Sequence, residues 1–508
     1  DLTFSAPKSV SLTWALGGHP VSGKVMEAHR AAVEAALSYM ERSACWARRG
    51  KGGRTFVPGQ GFLAAAYVHR SSRAGDPQLH THVLVANATL GPDGRWSRLY
   101  HPAIYEHART ASYLYAAHLR DELTHRLGVE WEPVVGGLAD IRGFSTEELR
   151  TFSTRRAEIL AVAGEGASAK AMRVAALETR QAKDRDITDE SLREGWRMRA
   201  EEIGLTREKI AGRLGHERPG ASVLTVRQVE RSVTEHVSHF DRRDAIRAVA
   251  ENLPHGAPAH EVERLADEFL ASDSVRRIAE TPRGPRFTTE RIWELERRAL
   301  AVAEQMHGAG GVAVVDPILV RRVLVTYPSL KADQRVMVER LLGDGRALEV
   351  VVGEAGTGKT YATAAAAAAW SDSGYEVEAA APTWRAATVL RGEGIPARTV
   401  ASLIARLDQA EEAGREALRP GSVLLVDEAG MVDSQTLARL IDHARRSEAK
   451  LVLLGDPAQL GEIEAGGLFA AIARRSEEIR LDEVLRHRHD LDREGAKLIR
   501  EGEGSAAL

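Results

Sequence analysis

The sequence is poor in cysteine and in aromatic residues, and it has no long apolar run. Cys45 is the single cysteine in 508 residues, so no disulfide can form within the chain, and a reducing compartment is indicated. Every apolar stretch falls short of the 18 or so residues that a membrane span needs. We therefore expect a cytoplasmic protein without membrane insertion.

An excess of charge of one sign is also missing, except at the N-terminal end. The formal net charge is −3, which argues against a histone-like basic protein. Residues 1–60 nevertheless hold eight Lys/Arg against four Asp/Glu. A glycine-rich basic loop suits a nucleic-acid backbone, although a solvated surface loop explains it equally well. The candidate backbone contacts are Lys8, Arg48, Arg49, Lys51 and Arg54.

The length predicts about three domains, and patterning indicates what they contain. Residues 24–43 carry apolar side chains at helical spacing. Phe62–Val68 and Leu79–Thr89 are apolar and β-prone, and the turn-rich residues 70–78 separate them, which predicts two antiparallel neighbours. Residues 145–215 are predicted to form charged helices.

A second group of elements follows from residue 225 onward. Helices are predicted at Arg242–Asn252 and His260–Leu270, and a small hairpin is predicted at 275–289. This order is typical of a winged helix, while a packing spacer is the equal alternative. Residues 308–315 are predicted to be a linker. Beyond residue 326, buried strands alternate with helices, the pattern of a parallel α/β sheet.

The clearest chemistry is a phosphate-binding loop. An apolar strand, 348–352, leads into Gly-Glu-Ala-Gly-Thr-Gly-Lys-Thr at 353–360, and an alanine-rich helix follows. Gly353, Gly356 and Gly358 let backbone amides wrap the phosphates of ATP. Lys359 would reach the β- and γ-phosphates, and the Thr360 hydroxyl would bind Mg²⁺.

Two further strands complete this site. The first, 422–426, ends in Asp427 and Glu428. Asp427 would hold the Mg²⁺ of ATP, and Glu428 would orient the attacking water as a general base. The second strand, 451–455, ends at Asp456 on the same edge of the sheet, where ligands of open α/β sheets bind.

Residues 381–387 (Ala-Pro-Thr-Trp-Arg-Ala-Ala) and 455–460 (Gly-Asp-Pro-Ala-Gln-Leu) resemble motifs of the RecD-like helicases of superfamily 1. The resemblance covers about residues 326–490 and implies a RecA-like motor lobe. It further implies that Gln459 senses the γ-phosphate and that Arg486 meets it from a second lobe. Gln334 would read adenine, and Thr383 would contact single-stranded DNA.

A histidine cluster is predicted in the first half of the chain. His80 and His82 are two apart on a strand, so both project from one face. Pairing with Phe62–His69 places His69 opposite His80 on that face. Three imidazoles on one face form a site for a divalent metal, Mg²⁺ or Mn²⁺ with Zn²⁺ as the alternative. A single His-x-His strand without this context is usually structural.

Residues 1–11, the segment Pro-Gln-Leu-His-Thr-His at 77–82 and residues 175–180 resemble the TrwC/TraI-type (MobF) conjugative relaxases. The resemblance implies that the metal polarises the scissile phosphate of single-stranded DNA at a plasmid origin of transfer, and that Asp1 orients a metal-binding histidine. It also implies relaxosome and coupling proteins as partners. The family nucleophile is a tyrosine ahead of Asp1. We assign that role to none of the six tyrosines in residues 1–215: Tyr39, Tyr67, Tyr100, Tyr105, Tyr113, Tyr115.

We therefore expect an α/β multidomain relaxase-helicase in which an antiparallel palm carries the histidines. The chain is expected to be a piece of a longer one, binding DNA and ATP but incomplete for nicking and for DNA-stimulated ATP turnover. A non-catalytic DNA-binding adaptor and a RecD-type repair helicase are the alternatives. The predicted parts are a relaxase domain at 1–215, a helical or winged-helix connector at 216–325, a RecA-like lobe at 326–475 and the start of a second lobe at 476–508.

Overall fold

In the computed structural model the chain forms two compact units. Unit 1 comprises Asp1–Val233, Phe240–Val275 and Ala279–Arg286, and unit 2 comprises Thr234–His239, Arg276–Ile278 and Phe287–Leu508. The residues that the structure describes are 1–50, 55–164, 166–179, 188–217, 220, 223–235, 237–281, 284–354, 356–457 and 467–481.

Unit 1 is a mixture of antiparallel strands and helices. Its elements are β1 (Leu2–Ser5), α1 (Lys8–Leu16), α2 (His19–Ala44), β2 (Trp46–Arg49), β3 (Thr55–Pro58), β4 (Ala64–Ser71), β5 (Pro77–Val85), β6 (Thr89–Leu90), β7 (Trp96–Ser97), α3 (His101–Leu127), α4 (Thr146–Thr151), α5 (Thr154–Ala163), α6 (Ala169–Glu178), α7 (Asp189–Glu202), α8 (Arg207–Ala211), α9 (Val226–Val233), α10 (Arg242–Glu251) and α11 (Ala259–Leu270).

The palm of unit 1 is a three-stranded sheet in the order β1–β5–β4, with both pairs antiparallel. Along β5 the side chains of Leu79, Thr81 and Val83 are buried, while His80 and His82 are half-buried. Strand alternation therefore separates a core face from a histidine face. The predicted antiparallel pair is confirmed, although β5 ends at Val85 rather than at Thr89.

Helix α2 supports the core face of the palm. Its buried side chains recur at helical spacing, as Val25, Ala28, Ala32, Ala36 and Met40 do. The predicted helix over 24–43 is confirmed, and it begins earlier, at His19, because Pro20 is tolerated in a first turn.

The predicted connector does not form a unit of its own. Helices α9, α10 and α11 belong to unit 1, whereas the later part of 216–325 belongs to unit 2. The predicted hairpin is present as β8 (Val275–Thr281) and β9 (Gly284–Thr289), and the division between the units falls within it.

Unit 2 is a parallel α/β lobe. Its six strands are parallel and lie in the order β12–β11–β13–β14–β10–β15. Its elements are α12 (Glu290–Gly308), α13 (Pro317–Thr326), α14 (Ala332–Gly343), β10 (Leu348–Gly353), α15 (Lys359–Asp372), β11 (Val377–Ala381), α16 (Trp384–Gly392), β12 (Ala397–Thr399), α17 (Val400–Glu412), β13 (Val423–Val426), α18 (Ser434–Arg446), β14 (Lys450–Gly455), α19 (Gly467–Arg475) and β15 (Ile479–Leu481).

The sheet of unit 2 is buried on both faces, which explains its nearly continuous apolar strands. Along β14, Val452 and Leu454 join the core on one face, and Leu451 and Leu453 join the core on the other. The carboxyl ends of these strands meet at one edge, where the polar residues that follow them can converge.

Two predicted boundaries in unit 2 differ from the structure. Residues 309–316 are packed rather than a loose linker, because Ala313 and Val315 are buried and Trp370 donates its indole N–H to the Ala313 carbonyl at 2.8 Å. Ile479–Leu481, predicted to start a second lobe, is instead the edge strand β15, which pairs with β10. Its apolar residues cover the P-loop strand, and that burial fixes it there.

No helix among the described residues of either unit has the length and apolar character needed to cross a bilayer.

Replacing Trp370 with alanine should destabilise unit 2. The indole is fully buried and hydrogen-bonded, so a loss of about 3–5 kcal/mol in the free energy of unfolding is expected. Trp384→Ala is the matched control, since Trp384 is 68% exposed and its loss should cost less than about 0.5 kcal/mol. Urea denaturation followed by hydrogen exchange in the sheet peptides measures both. Equal costs for the two variants would contradict this packing.

Candidate metal centre and nucleotide site

Three imidazoles converge on the outer face of the palm. The register of β4 and β5 sets His69 directly opposite His80, so the predicted pairing is confirmed. The ring centroids of His69, His80 and His82 lie 4.9–5.2 Å from one another. One ring nitrogen from each histidine lies within 4.8 Å of the other two, which is the spacing of a metal site.

The carboxylate of Asp1 lies behind His82. Both of its oxygens are 3.0 Å from His82 Nδ1, and the Thr3 hydroxyl is 3.1 Å from the same nitrogen. A carboxylate accepts the Nδ1 proton and so favours the tautomer in which Nε2 carries the lone pair. His80 Nδ1 similarly lies 2.9 Å from the Gln78 carbonyl, which assigns Nε2 as its ligand atom.

A buried imidazole supports the same strand from the core face. His29 of α2 contacts the Thr81 hydroxyl at 2.7 Å through Nε2 and the Tyr115 hydroxyl at 2.8 Å through Nδ1. Burial lowers the pKa of His29 to about 4, so this ring is neutral. Thr81 lies between the two histidines of β5. The bridge therefore fixes the position of this part of β5, and with it both histidines, relative to the core.

The donor set fits a divalent cation. Three neutral imidazole nitrogens on one face leave the opposite side of an ion open for water or phosphate oxygens. Among the described residues, His69, His80 and His82 are the one group of three or more His, Cys, Asp or Glu side chains whose ligand atoms have the spacing of a metal site. Sequence reasoning missed the His29 bridge, because no motif marks a histidine that packs beneath a strand.

The phosphate-binding loop lies between β10 and α15 in unit 2. Gly356 and Gly358 have φ values of 92° and 75°, the left-handed region that glycine adopts without strain. The ammonium of Lys359 is buried and donates to the backbone carbonyls of Gly353 and Glu354. Thr360 follows in the first turn of α15, whose N-terminal amides face the loop.

The acidic pair lies at the carboxyl end of β13. Burial raises the pKa values of Asp427 and Glu428, and Lys359 acts on both in the opposite direction. Glu428 also has a φ of 52°, a left-handed conformation that a residue with a side chain rarely adopts. Such strain at the end of a strand is typical of functional positions.

Four other residues were predicted to act in nucleotide or DNA binding: Gln334, Thr383, Gln459 and Arg486. Gln334 is buried, donates to the Thr357 carbonyl at 2.8 Å and accepts from the Lys331 amide at 2.9 Å, so its amide braces the P-loop. Thr383 is exposed and caps α16. Gln459 and Arg486 lie outside the described residues.

Comparison with known proteins agrees with this two-part organisation. The family model of the TrwC relaxase matches residues 1–203, and that of an AAA domain matches residues 329–508. The conjugal transfer protein TraA of Rhizobium radiobacter is 35% identical over 224 residues, which are 44% of this chain and 20% of that protein. The ATP-dependent RecD2 DNA helicase of Deinococcus radiodurans is 33% identical over 159 residues, 31% of this chain and 22% of its own.

The first part of the chain is thus similar to the TrwC/TraI-type (MobF) relaxases, and the last part is similar to an AAA domain and to RecD-type helicases. A solved structure of TrwC complexed with a 27-mer DNA, which comprises the recognition hairpin and the cleavage site, is 30% identical. It covers 40% of this chain and 74% of its own chain, with a TM-score of 0.37. The chain spans about a fifth of the length of the TraA relatives that it matches.

Three of the predicted basic DNA contacts lie among the described residues: Lys8, Arg48 and Arg49. Lys8 donates to the Pro77 carbonyl at 2.8 Å, and burial lowers its pKa to about 8. Its ammonium therefore supports the palm. Arg49 pairs with Asp93 at 2.7 Å, and Arg48 lies beside it on β2. Lys51 and Arg54 lie outside the described residues.

Tyr67, to which the sequence analysis assigns no role, lies on the histidine face. Tyr67 lies directly opposite His82 and two residues before His69, so it shares the histidine face, and it is 52% exposed. The register that predicts the position of His69 also predicts the position of Tyr67. Motif comparison alone passes over it.

Metal binding by the histidine face should depend on Asp1. We expect one divalent ion per chain by calorimetry with MnCl₂, no binding by the His69/His80/His82 triple alanine variant, and a loss of about 10–100-fold in affinity for Asp1→Asn. Acidification should weaken binding, because protons compete for the imidazoles. Glu34→Gln is the control, since Glu34 is exposed on α2. Unchanged binding by the triple variant would rule out this site.

Proposed function

We propose that the chain acts in conjugative DNA transfer, as a strand-specific relaxase joined to an ATP-driven motor. The observation that carries the proposal is the three-imidazole face backed by Asp1, in the same chain as a P-loop lobe. A site of this kind suits phosphodiester activation, and the motor lobe suits movement along the strand that has been cut.

The residues of unit 1 would bind and orient the scissile phosphate. His69, His80 and His82 would hold Mg²⁺ or Mn²⁺, which when bound supplies the positive charge that a phosphodiester needs to accept a nucleophile. Asp1 fixes the tautomer of His82, and the hydrogen bond from His29 to Thr81 holds β5 in place against the core. Tyr67 offers an exposed ring next to the site on which a base can stack.

The residues of unit 2 would bind and hydrolyse ATP with Mg²⁺. Lys359 and the P-loop amides would bind the phosphates, Thr360 and Asp427 would hold the ion, and Glu428 would accept a proton from the attacking water. Thr383 and the exposed Trp384 beside it offer a hydroxyl and a ring to single-stranded DNA.

We also propose the partners and the location that this activity requires. The substrate is single-stranded DNA at a plasmid origin of transfer, and relaxosome and coupling proteins deliver it. The single cysteine supports a cytoplasmic location.

The experiment that tests the relaxase proposal is a nicking assay. The full translation product of the gene is incubated with supercoiled DNA of the replicon that carries it. We expect relaxed circles with protein attached to the 5′ end in Mg²⁺ or Mn²⁺, and none with the triple histidine variant. Nicking by that variant at the wild-type rate would contradict the proposal.

Nucleotide binding and turnover should separate in two variants of the motor. Lys359→Ala should abolish ATP binding, because the loop then lacks its phosphate-binding charge. Glu428→Gln should bind ATP and lose turnover, since the amide cannot accept a proton. Equilibrium binding and steady-state ATPase assays measure the two effects, and Glu393→Gln, an exposed residue, is the control. Turnover by Glu428→Gln at the rate of the control would exclude Glu428 as the base.

The pH dependence of ATP turnover should reflect the raised pKa of Glu428. Burial is the largest cause, and the negative charges of Asp427 and Asp456 add to it. A base works only when ionised, so turnover is lost as pH falls through this pKa, at a higher pH than for an ordinary glutamate. Asp456→Asn should move the acid limb of kcat to lower pH, while Asp372→Asn should not. An acid limb of kcat at the same pH in both variants would contradict the assignment of Glu428 as the base.

A further inference from the structure

The side-chain amide of Gln334 in unit 2 is closed off from solvent. Gln334 lies in the first turn of α14 and is 1% exposed. Its Nε2 donates to the Thr357 carbonyl of the P-loop at 2.8 Å, and its Oε1 accepts from the Lys331 backbone amide at 2.9 Å. Both functional groups of this side chain are therefore engaged within the protein. An adenine ring could bond to the amide only by displacing one of these contacts.

The backbone carbonyls of the segment that leads into α14 also have partners within the segment and its helix. The Leu330 carbonyl accepts from Arg335 Nε at 3.1 Å, and the Pro328 carbonyl accepts from a terminal nitrogen of Arg335 at 3.4 Å. The Tyr327 carbonyl accepts from the Leu330 amide at 3.2 Å. Hydrogen bonds to the edge of a base are what distinguish one base from another, and this segment uses its polar groups for its own turn.

An aromatic pair lies beside the P-loop. The rings of Tyr327 and Tyr361 meet edge-to-face, with their centroids 5.6 Å apart. Tyr361 directly follows Thr360 in the first turn of α15, and Tyr327 directly follows α13. Both rings are half-buried, because they pack against the core of unit 2 and leave part of their surface exposed.

The way in which a P-loop holds a nucleotide places the base near this pair. The loop amides bind the phosphates, Lys359 reaches the terminal ones and Thr360 holds the Mg²⁺. The base then lies outside the loop, one ribose beyond the phosphate that is bound at the first turn of α15. The bond from Gln334 to Thr357 brings the start of α14 to the same place. A base bound there has the ring of Tyr361 within reach.

We propose that unit 2 binds the base of a nucleoside triphosphate by stacking on Tyr361, beside Tyr327, and that it does not select adenine through Gln334. This inference rests on the proposed nucleotide binding by the P-loop. An aromatic ring can stack on every base, whereas a site that bonds to the base edge rejects a base with the wrong groups. The ligand class is therefore the purine nucleoside triphosphates, with either adenine or guanine. Gln334 is a positioning residue that holds the P-loop in shape.

The test is calorimetric binding of three ligands to the full chain in the presence of Mg²⁺: ATP, GTP and inorganic tripolyphosphate, which has no base. The wild type should bind ATP and GTP with affinities within about threefold of each other, because both purines offer a ring of the same size for stacking. A site that reads the adenine edge should separate the two by more than about 100-fold.

Two variants separate the two roles. Tyr361→Leu keeps an apolar side chain against the core but removes the ring, so the affinities for ATP and GTP should fall by about 5–100-fold while tripolyphosphate binds as before. Gln334→Ala removes the bond to the P-loop, so the affinities for all three ligands should fall by one common factor of about 2–10. A reader of adenine would lose affinity for ATP alone.

Tyr375→Leu is the matched control. Tyr375 precedes β11 at the amino end of the parallel sheet, away from the P-loop, and donates to the Val314 carbonyl at 2.9 Å. This variant should bind all three ligands as the wild type does. Melting of each variant without nucleotide shows whether it is folded, and the Gln334→Ala and wild-type comparisons decide the question if Tyr361→Leu is not.

Three results would each overturn this inference and leave the proposed function intact. They are a preference of the wild type for ATP over GTP of more than about 100-fold, a loss of ATP affinity alone in Gln334→Ala, and ATP affinity in folded Tyr361→Leu equal to that of the control. A wild-type chain that binds neither nucleotide nor tripolyphosphate would instead overturn the proposed motor function itself.

Discussion

The antiparallel pairing of β4 with β5 is the constraint on which the first half of the molecule depends. Because side chains alternate with a period of two, a slip of one residue would turn His80 and His82 into the core and Thr81 outward. The buried bridge from Tyr115 through His29 to Thr81 opposes that slip, since it satisfies three polar groups in one register only. The metal-binding geometry is therefore a consequence of the packing beneath it.

The nucleotide site of unit 2 likewise depends on how its sheet is packed. The P-loop, Asp427 and Glu428 are brought together because parallel strands end at one edge of a sheet that is buried on both faces. Gln334 and Lys359 both bond to the loop's own backbone, so the phosphate cradle is already shaped in the structure. The left-handed backbone of Glu428 is the local strain that this arrangement maintains.

The sequence alone was enough to predict the features that depend on patterns of neighbouring residues. Period-two alternation and a turn-rich break predicted the β4–β5 pair, and with it the placement of His69 opposite His80. The P-loop and the acidic strand end were visible because their spacing is fixed by phosphate chemistry. Long-range packing was not visible: the allocation of Ile479–Leu481 to the edge of the sheet, the burial of Lys8 and the bond from Gln334 to the P-loop depend on contacts between distant segments.

The central claim is that the three histidines bind a divalent ion through their imidazole nitrogens. Electron spin-echo envelope modulation of Mn²⁺ bound to the full chain tests it most directly, because the method detects nitrogen-14 nuclei coordinated to the ion. The account predicts imidazole modulation in the wild type, a progressive loss as His69, His80 and His82 are replaced one at a time, and no modulation in the triple variant. Bound Mn²⁺ without nitrogen modulation in the wild type would contradict it.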